Sequence, residues 1–227
     1  MNDIEKGNYK QLQSLAIKEG AVLFGVADIR PHTEHFFLSK EELEGLSFGI
    51  SIGLTLSPSV LNGIIDQPTI LYKWHYRQAN NLLDKIAFKL TQHILQKNYR
   101  ALPVPSSQII DWKKQYGHLS HRSLAEAAGL GWRGRNNLTV NDKYGARIRL
   151  VSILTDMPLE VDTPQESQCG TCRLCIESCP AGALGDTPAE YNMEKCYKLL
   201  REFSKIQGVG QMICGICVKA CSGKGSN

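Results

Sequence analysis

The stretch Cys169-Gly-Thr-Cys172-Arg-Leu-Cys175-Ile-Glu-Ser-Cys179-Pro180 constrains this chain more than any other. Three cysteines stand at two-residue gaps, a fourth follows after three more residues, and a proline comes next. With this spacing a short loop wraps a [4Fe-4S] cube and sends its last thiolate elsewhere. Cys196 then stands alone, and Cys214-Gly-Ile-Cys217-Val-Lys-Ala-Cys221 completes the series. The chain has eight cysteines. Two cubes take four thiolates each, which leaves none over. A disulfide framework of the same parity belongs to small secreted chains. Here the cysteines are confined to the C-terminal quarter, and no secretory signal opens the sequence. Structural zinc uses four ligands in two pairs, which does not account for the run.

The remaining composition narrows the setting. The 227 residues allow one large or two small domains. The formal net charge is only +4, and the basic residues are scattered, so there is no nucleic-acid footprint of the usual kind. No apolar run reaches the length of a membrane span. Met1-Asn-Asp-Ile-Glu-Lys6 has neither an apolar core nor a twin arginine. These features lead to the expectation of a soluble cytoplasmic protein with no membrane partner.

Along the chain, Tyr9 to Glu19 reads as a helix with Leu12, Leu15 and Ala16 on one face and Gly20 as its stop. Ala21 to Asp28 is a short apolar run that reads as a buried strand. Arg30 to Gly45 reads as loops with a short helix. Phe48 to Leu56 alternates apolar with small residues and reads as a second strand. Its glycines point either to close approach of a backbone or ligand, or to a bulged strand packed on a helix. Pro58 to Ile65 reads as a short helix. From Tyr72 to Lys97 the period is helical, with Leu82, Leu83, Ile86, Leu90, Ile94 and Leu95 forming one face.

Tyr99 to Pro105 reads as a strand, and Ser106 to Leu119 as polar and irregular. Ser120 or Ser123 caps the next helix, and Ser123-Leu-Ala-Glu126 matches a capping box. Gly129 fits a left-handed C-terminal cap. Gly131 and Gly134 then stand among Trp132, Arg133, Arg135, Asn136 and Asn137, a segment suited to a polar or anionic ligand or to a plain turn. Ala146 to Thr155 reads as a strand and Pro158 to Pro164 as a linker. Beyond the two cysteine half-motifs there is no repeat, and the only low-complexity tract is the Gly/Ser tail.

The cysteine pattern resembles that of bacterial two-cluster ferredoxins, in which the fourth cysteine of each run ligates the other cluster. That resemblance implies Cys169, Cys172, Cys175 and Cys221 for one cube and Cys179, Cys196, Cys214 and Cys217 for the second. The gap from Cys196 to Cys214 is longer than in a compact ferredoxin and has room for an inserted helix, roughly Met193 to Ser204.

A second resemblance covers more of the chain. His121 to Asn137, Tyr144-Gly145, Arg149-Leu150, Leu154 to Glu160 and Cys169 to Pro180 resemble the epoxyqueuosine reductases, with a match from about Arg122 to Cys221. A fainter match covers the N-terminal half, including Tyr72 and His75. That family binds cobalamin and two [4Fe-4S] clusters and removes the epoxide oxygen in the last step of queuosine synthesis on tRNA. Corrinoid reductive dehalogenases share its core.

The resemblance implies an α+β fold. A nitroreductase-like mixed α/β domain over residues 1–160 would take the corrinoid and substrate, and a ferredoxin-like domain with two [4Fe-4S] clusters would follow over 161–227. Gly129, Gly131, Trp132, Arg135, Asn136 and Asn137 would lie against the corrin. Electrons would pass from an external donor of ferredoxin or flavodoxin type through the outer and inner cubes to cobalt, the protein orienting and tuning the cofactor.

Three departures qualify what the resemblance implies. The family's acidic proton donor precedes the arginine matched by Arg122; here Pro105 or Gln115 falls at its place, depending on how the gap is set. Asp111 is the nearest acid, with Tyr116 and His121 as further catalytic candidates. The family continues into a helical-repeat region that helps hold tRNA, whereas this sequence stops at Asn227. Ser222 stands where a proline usually follows the last cysteine. The expectation is therefore a corrinoid-dependent iron-sulfur oxidoreductase acting on a substrate the sequence does not name. The alternatives are a true epoxyqueuosine reductase acting on tRNA and an electron-transfer protein serving a partner, for example one that carries the corrinoid.

Overall fold

The computed structural model describes residues 3–223; the Gly/Ser tail lies outside them from Lys224 onward. The chain forms two compact units that interleave along the sequence. The first takes in the chain up to Leu54, Asn80–Leu130 and Arg149–Gln165; the second takes in Thr55–Ala79, Gly131–Ile148 and the chain from Glu166 on. Among the described residues no helix is long and apolar enough to cross a membrane.

The first unit is built on a four-stranded sheet ordered β1-β2-β6-β3: β1 is Leu23–Asp28, β2 Phe48–Thr55, β3 Ala101–Val104 and β6 Ile148–Thr155. β1 and β2 pair antiparallel from Leu23↔Gly53 to Asp28↔Phe48, and β3 and β6 pair antiparallel from Ala101↔Thr155 to Val104↔Ser152. Because side chains alternate across a strand, the sheet has two distinct faces. On one, Phe24, Val26, Ile50, Ile52, Leu54, Val151 and Ile153 pack with Leu12 and Ala16 of α1 (Asp3–Lys18). Leu83, Ile86, Ala87, Leu90 and Ile94 of α4 (Ile70–Gln96) complete that core. A fully buried side chain of this size contributes about 1.5–3 kcal/mol.

The alternation in β2 decides what its glycines do. Gly49 and Gly53 point away from that core, and a Cβ on Gly49 would lie 2.5 Å from Leu124 of α5 (His121–Ala127). A Cβ on Gly53 would lie 3.0 Å from Leu23. Gly49 therefore admits α5 on the second face, Gly53 leaves room for Leu23 of the paired strand β1, and the β1–β2 register runs without a bulge.

The structure corrects two local expectations. Leu82 and Leu95 do not belong to the buried face of α4; they are 38% and 45% exposed, because the buried stripe follows Leu83, Ile86, Ala87, Leu90 and Ile94. The cap of α5 is Ser120, whose hydroxyl accepts from the Ser123 N–H, so Ser123 lies inside the helix and the Ser123–Glu126 box does not form. Gly129 ends the segment at φ +69, the left-handed cap expected of it.

α2 (Lys40–Leu43) belongs to the first unit; the second holds α3 (Pro58–Asn62), the start of α4, α6 (Leu174–Glu177), α7 (Met193–Ser204) and α8 (Ile216–Ala220). Leu56, Leu61, Ile64, Tyr72, Ala79, Val209, Ile213 and Ile216 form one of its cores. The Lys219 ammonium donates to the Ile64 carbonyl at 2.6 Å, and Arg147 Nη2 donates to the Lys219 carbonyl at 2.7 Å, which ties α8 down at both faces. The helix expected at Met193 to Ser204 is α7, which carries Cys196 in its first turn, with its N-terminus capped by Asn192, which accepts from the Lys195 N–H at 2.9 Å.

Replacing Leu90 by Ala should remove about 2–5 kcal/mol of stability, whereas Leu95→Ala should stay within about 0.5 kcal/mol. Urea midpoints at unchanged slope measure both; equal losses would contradict the burial of the α4 face.

Candidate metal centre

The cysteine loop is organised by a short hairpin. β4 (Trp132–Arg133) pairs antiparallel with β5 (Thr139–Val140), with Trp132 opposite Val140 and Arg133 opposite Thr139. A Cβ on Gly131 would lie 2.0 Å from the Val140 carbonyl oxygen, so the crossing of the two strands requires glycine there. The turn is closed by Asn137, at φ +54, whose Oδ1 accepts from Arg133 Nη1 at 3.0 Å. Asn136 is buried and its Oδ1 accepts from the Leu138 N–H at 3.1 Å.

From this hairpin two side chains reach the first cysteines. The Trp132 indole N–H donates to Cys169 Sγ at 3.4 Å. The Arg135 guanidinium spreads over the backbone of the loop. Nη1 donates to the Cys172 carbonyl at 2.7 Å and, more weakly, to that of Cys169 at 3.4 Å; Nη2 donates to Gly170 at 2.8 Å and Nε to Asp186 at 2.8 Å. Arg173 pairs with Asp186 alongside. At the far end of the series, the Ala146 N–H donates to the Cys221 carbonyl at 3.1 Å. Gly145, at φ +59, lies so close to that carbonyl that a Cβ would stand 2.2 Å from it.

The thiols differ in burial. Cys175 is buried, Cys172 is exposed and the other six are intermediate. Burial pushes the Cys175 thiol up to about 11, and the neighbouring charges of Cys221, Cys169 and Cys172 push in the same direction. Burial also pushes Cys214 up to about 11, with Cys196 and Cys179 adding to it. Cys217 is raised further by burial, then by Cys214, Cys196 and Cys179 and last by Cys175. Cys221 is raised by burial and by Cys169 and Cys172. Cys175 and Cys221 thus share Cys169 and Cys172 as neighbours, and Cys214 and Cys217 share Cys196 and Cys179, with Cys175 also acting on Cys217.

Among the described residues no three such side chains close to the geometry of a single bound metal ion. A four-iron cube holds its thiolates farther apart than one ion does, and the all-thiol donor sets match the ligands such cubes take.

The three proton-donor candidates have local partners. Asp111 Oδ1 accepts from the N–H groups of Lys113 and Lys114, both at 2.9 Å, and Asp111 bridges to Tyr116 across the turn. The Tyr116 ring stands 4.9 Å from that of Phe37, and the side chain is exposed. His121 is held between two groups: a carbonyl only accepts, so its Nε2–H donates to the Pro105 carbonyl at 2.8 Å and its Nδ1 accepts from the Ser152 hydroxyl at 2.7 Å. Burial lowers its pKa to about 4; Arg149 acts in the same direction, against the Pro105 carbonyl and Asp84. All three side chains are thus held by local partners. The partners of Trp132 and Arg135 carry no signal in the sequence beyond the residues themselves.

No family model matches the chain. In sequence it is similar to the epoxyqueuosine reductase of Aliivibrio fischeri, 38% identical over 110 residues, which cover 48% of this chain and 27% of that protein. The chain therefore spans about a quarter of the length of that curated relative. In fold it resembles a reductive dehalogenase whose structure suggested a mechanism for B12-dependent dehalogenation, with a TM-score of 0.76 and 20% identity over 97% of this chain and 32% of that one. It also resembles an epoxyqueuosine reductase solved with an epoxyqueuosine-modified tRNA-Tyr stem loop, with a TM-score of 0.61 and 22% identity over 84% of this chain and 56% of that one. The chain is thus related in sequence to the epoxyqueuosine reductases, and its mixed α/β fold is the one they share with reductive dehalogenases.

The neutral, doubly bonded His121 gives a pH signature. Between the usual 6.5 and about 4 the unfolded chain takes up a proton at this residue and the folded chain does not. Its contribution to stability should therefore be complete above pH 6.5 and be lost as the pH falls toward 4. NMR titration of the imidazole should show no charge uptake until about pH 4, and His121→Gln should flatten that part of the stability profile. A titration near 6.5 would contradict the assignment.

Proposed function

We propose that this chain is an iron-sulfur oxidoreductase of the epoxyqueuosine-reductase type, its eight cysteines holding two [4Fe-4S] clusters. The observation that carries the reading is the run Cys169-x2-Cys172-x2-Cys175-x3-Cys179-Pro180 together with Cys196, Cys214, Cys217 and Cys221, all eight of them free thiols. Cys169, Cys172, Cys175 and Cys221 hold one cluster, and Cys179, Cys196, Cys214 and Cys217 the other. Clusters of this type supply one-electron transfer. The chain supplies the rest. Arg135 fixes the Cys169–Cys172 loop through its carbonyls, Trp132 covers Cys169, and α8 carries Cys217 with Cys221 directly after it. The electron donor is an external ferredoxin- or flavodoxin-type protein, and the reducing cytoplasm suits thiols that must stay unpaired.

A bound corrinoid is a second reading, favoured by the fold likeness to a B12-dependent enzyme across nearly the whole chain. The segment expected against the corrin gives it little direct support. Gly131 is required by the strand crossing, Arg135 is engaged with the cysteine loop and Trp132 with Cys169. No step is assigned through a corrin. The substrate is one that accepts electrons reductively; epoxyqueuosine in tRNA is the specific alternative that the sequence relatives favour, and electron delivery to a partner corrinoid protein is another.

Anaerobic reconstitution with iron and sulfide should give about eight irons per chain in the parent and about four in Cys196→Ser, since each cube takes four. A parent that holds about four irons or fewer would overturn the two-cluster assignment. Adding cobalamin before gel filtration separates the second reading: a co-eluting corrinoid band supports it, and its absence with eight irons present leaves the chain an electron-transfer protein.

A further inference from the structure

We propose that Trp132 tunes the reduction potential of the cluster held through Cys169, its indole N–H stabilising the reduced state. The inference rests on the reading of Cys169 as a cluster ligand. The indole nitrogen stands 3.4 Å from Cys169 Sγ, and Trp132 is 5% exposed. Its ring packs with Val140 and Ala146, and Leu138, Cys169 and Cys221 lie against the same apolar group. Two thiols of one set thus border the ring, and the N–H lies on a side chain that is almost wholly buried. A hydrogen bond in such surroundings is stronger than in water.

Reduction adds one electron from the donor to the cluster. No bond forms or breaks and no proton moves; the sulfurs become more negative. An N–H dipole aimed at one of them stabilises the reduced form more than the oxidised form, which raises the potential. Arg135 acts as a positioning residue. By fixing the carbonyls of Gly170 and Cys172 from the same hairpin turn, it holds the sulfur where the indole reaches it.

Trp132→Phe removes the N–H while keeping most of the ring that excludes water. The test is anaerobic redox titration of reconstituted parent and variant, followed by electron paramagnetic resonance, with iron quantified in both. The expected result is full iron content, a lower potential for one cluster and an unchanged potential for the other; at a fixed poise the reduced fraction of the affected cluster falls severalfold. Full iron with both potentials unchanged overturns the proposal.

If the variant loses iron, the parent decides. Trp74 and Trp112 are the other two tryptophans and both are exposed. With both changed to Phe and the remaining indole labelled with nitrogen-15, the reduced cluster should show hyperfine coupling to that nitrogen; no coupling overturns the proposal. A parent that takes up no iron removes the cluster reading itself, and this inference with it.

Discussion

Four backbone carbonyls, those of Cys169, Gly170, Cys172 and Asp186, converge on the guanidinium of Arg135, and the cysteine loop depends on that convergence. Within the loop the Cys172 N–H donates to the Cys169 carbonyl, while the carbonyls of Gly170 and Cys172 turn to the guanidinium. A planar fork with five donors meets several carbonyls at once; the compact ammonium of lysine does not present that shape. The same hairpin aims Trp132 at Cys169, so a turn of a few residues both shapes the loop and shields its first thiol.

The loop and the hairpin also explain the glycines around them. Gly131 lets the two strands of the hairpin cross, and Gly145 lets the chain pass the Cys221 carbonyl. A segment rich in glycine, arginine and asparagine reads equally as a ligand-binding turn. Here close chain contact takes up the backbone freedom of Gly131, and Arg135 and Trp132 have protein partners, while the buried Asn136 Nδ2 has none among the described residues. The first unit uses glycine in a related way, with Gly49 admitting α5 on one face of the sheet and Gly53 leaving room for Leu23 of the paired strand.

Burial of the thiols works against their own ionisation, as the upward shifts of Cys175, Cys214, Cys217 and Cys221 show. A site that served only to hold reactive thiols would keep them exposed and beside positive charge. Burial in two sets suits ligands whose charge is offset by metal and whose potential depends on keeping water out. His121 shows the complementary case. Its ring nitrogens are occupied by Pro105 and Ser152 and its proton affinity is lowered, so the side chain ties a helix start to a strand in its neutral form.

What the sequence by itself determined is local or chemical: the count and spacing of the cysteines, the apolar alternation of β2 and β6, the left-handed cap at Gly129 and the helix Met193–Ser204. Each rests on forces that act within a few residues, namely side-chain periodicity, turn sterics and ligand spacing. Smaller local choices escaped it. Ser120 and Ser123 are both competent caps, and only the chain's entry into α5 selects the first. Leu82 and Leu95 fit a helical stripe, but the packed sheet below α4 sets how wide the buried stripe is.

The tertiary structure alone decided that the chain divides into interleaved units, and that Arg135 and Trp132 belong to the cysteine loop. Those partners lie more than thirty residues apart in sequence. No periodicity or propensity reports on contacts at that separation; they exist only once the backbone has closed on itself.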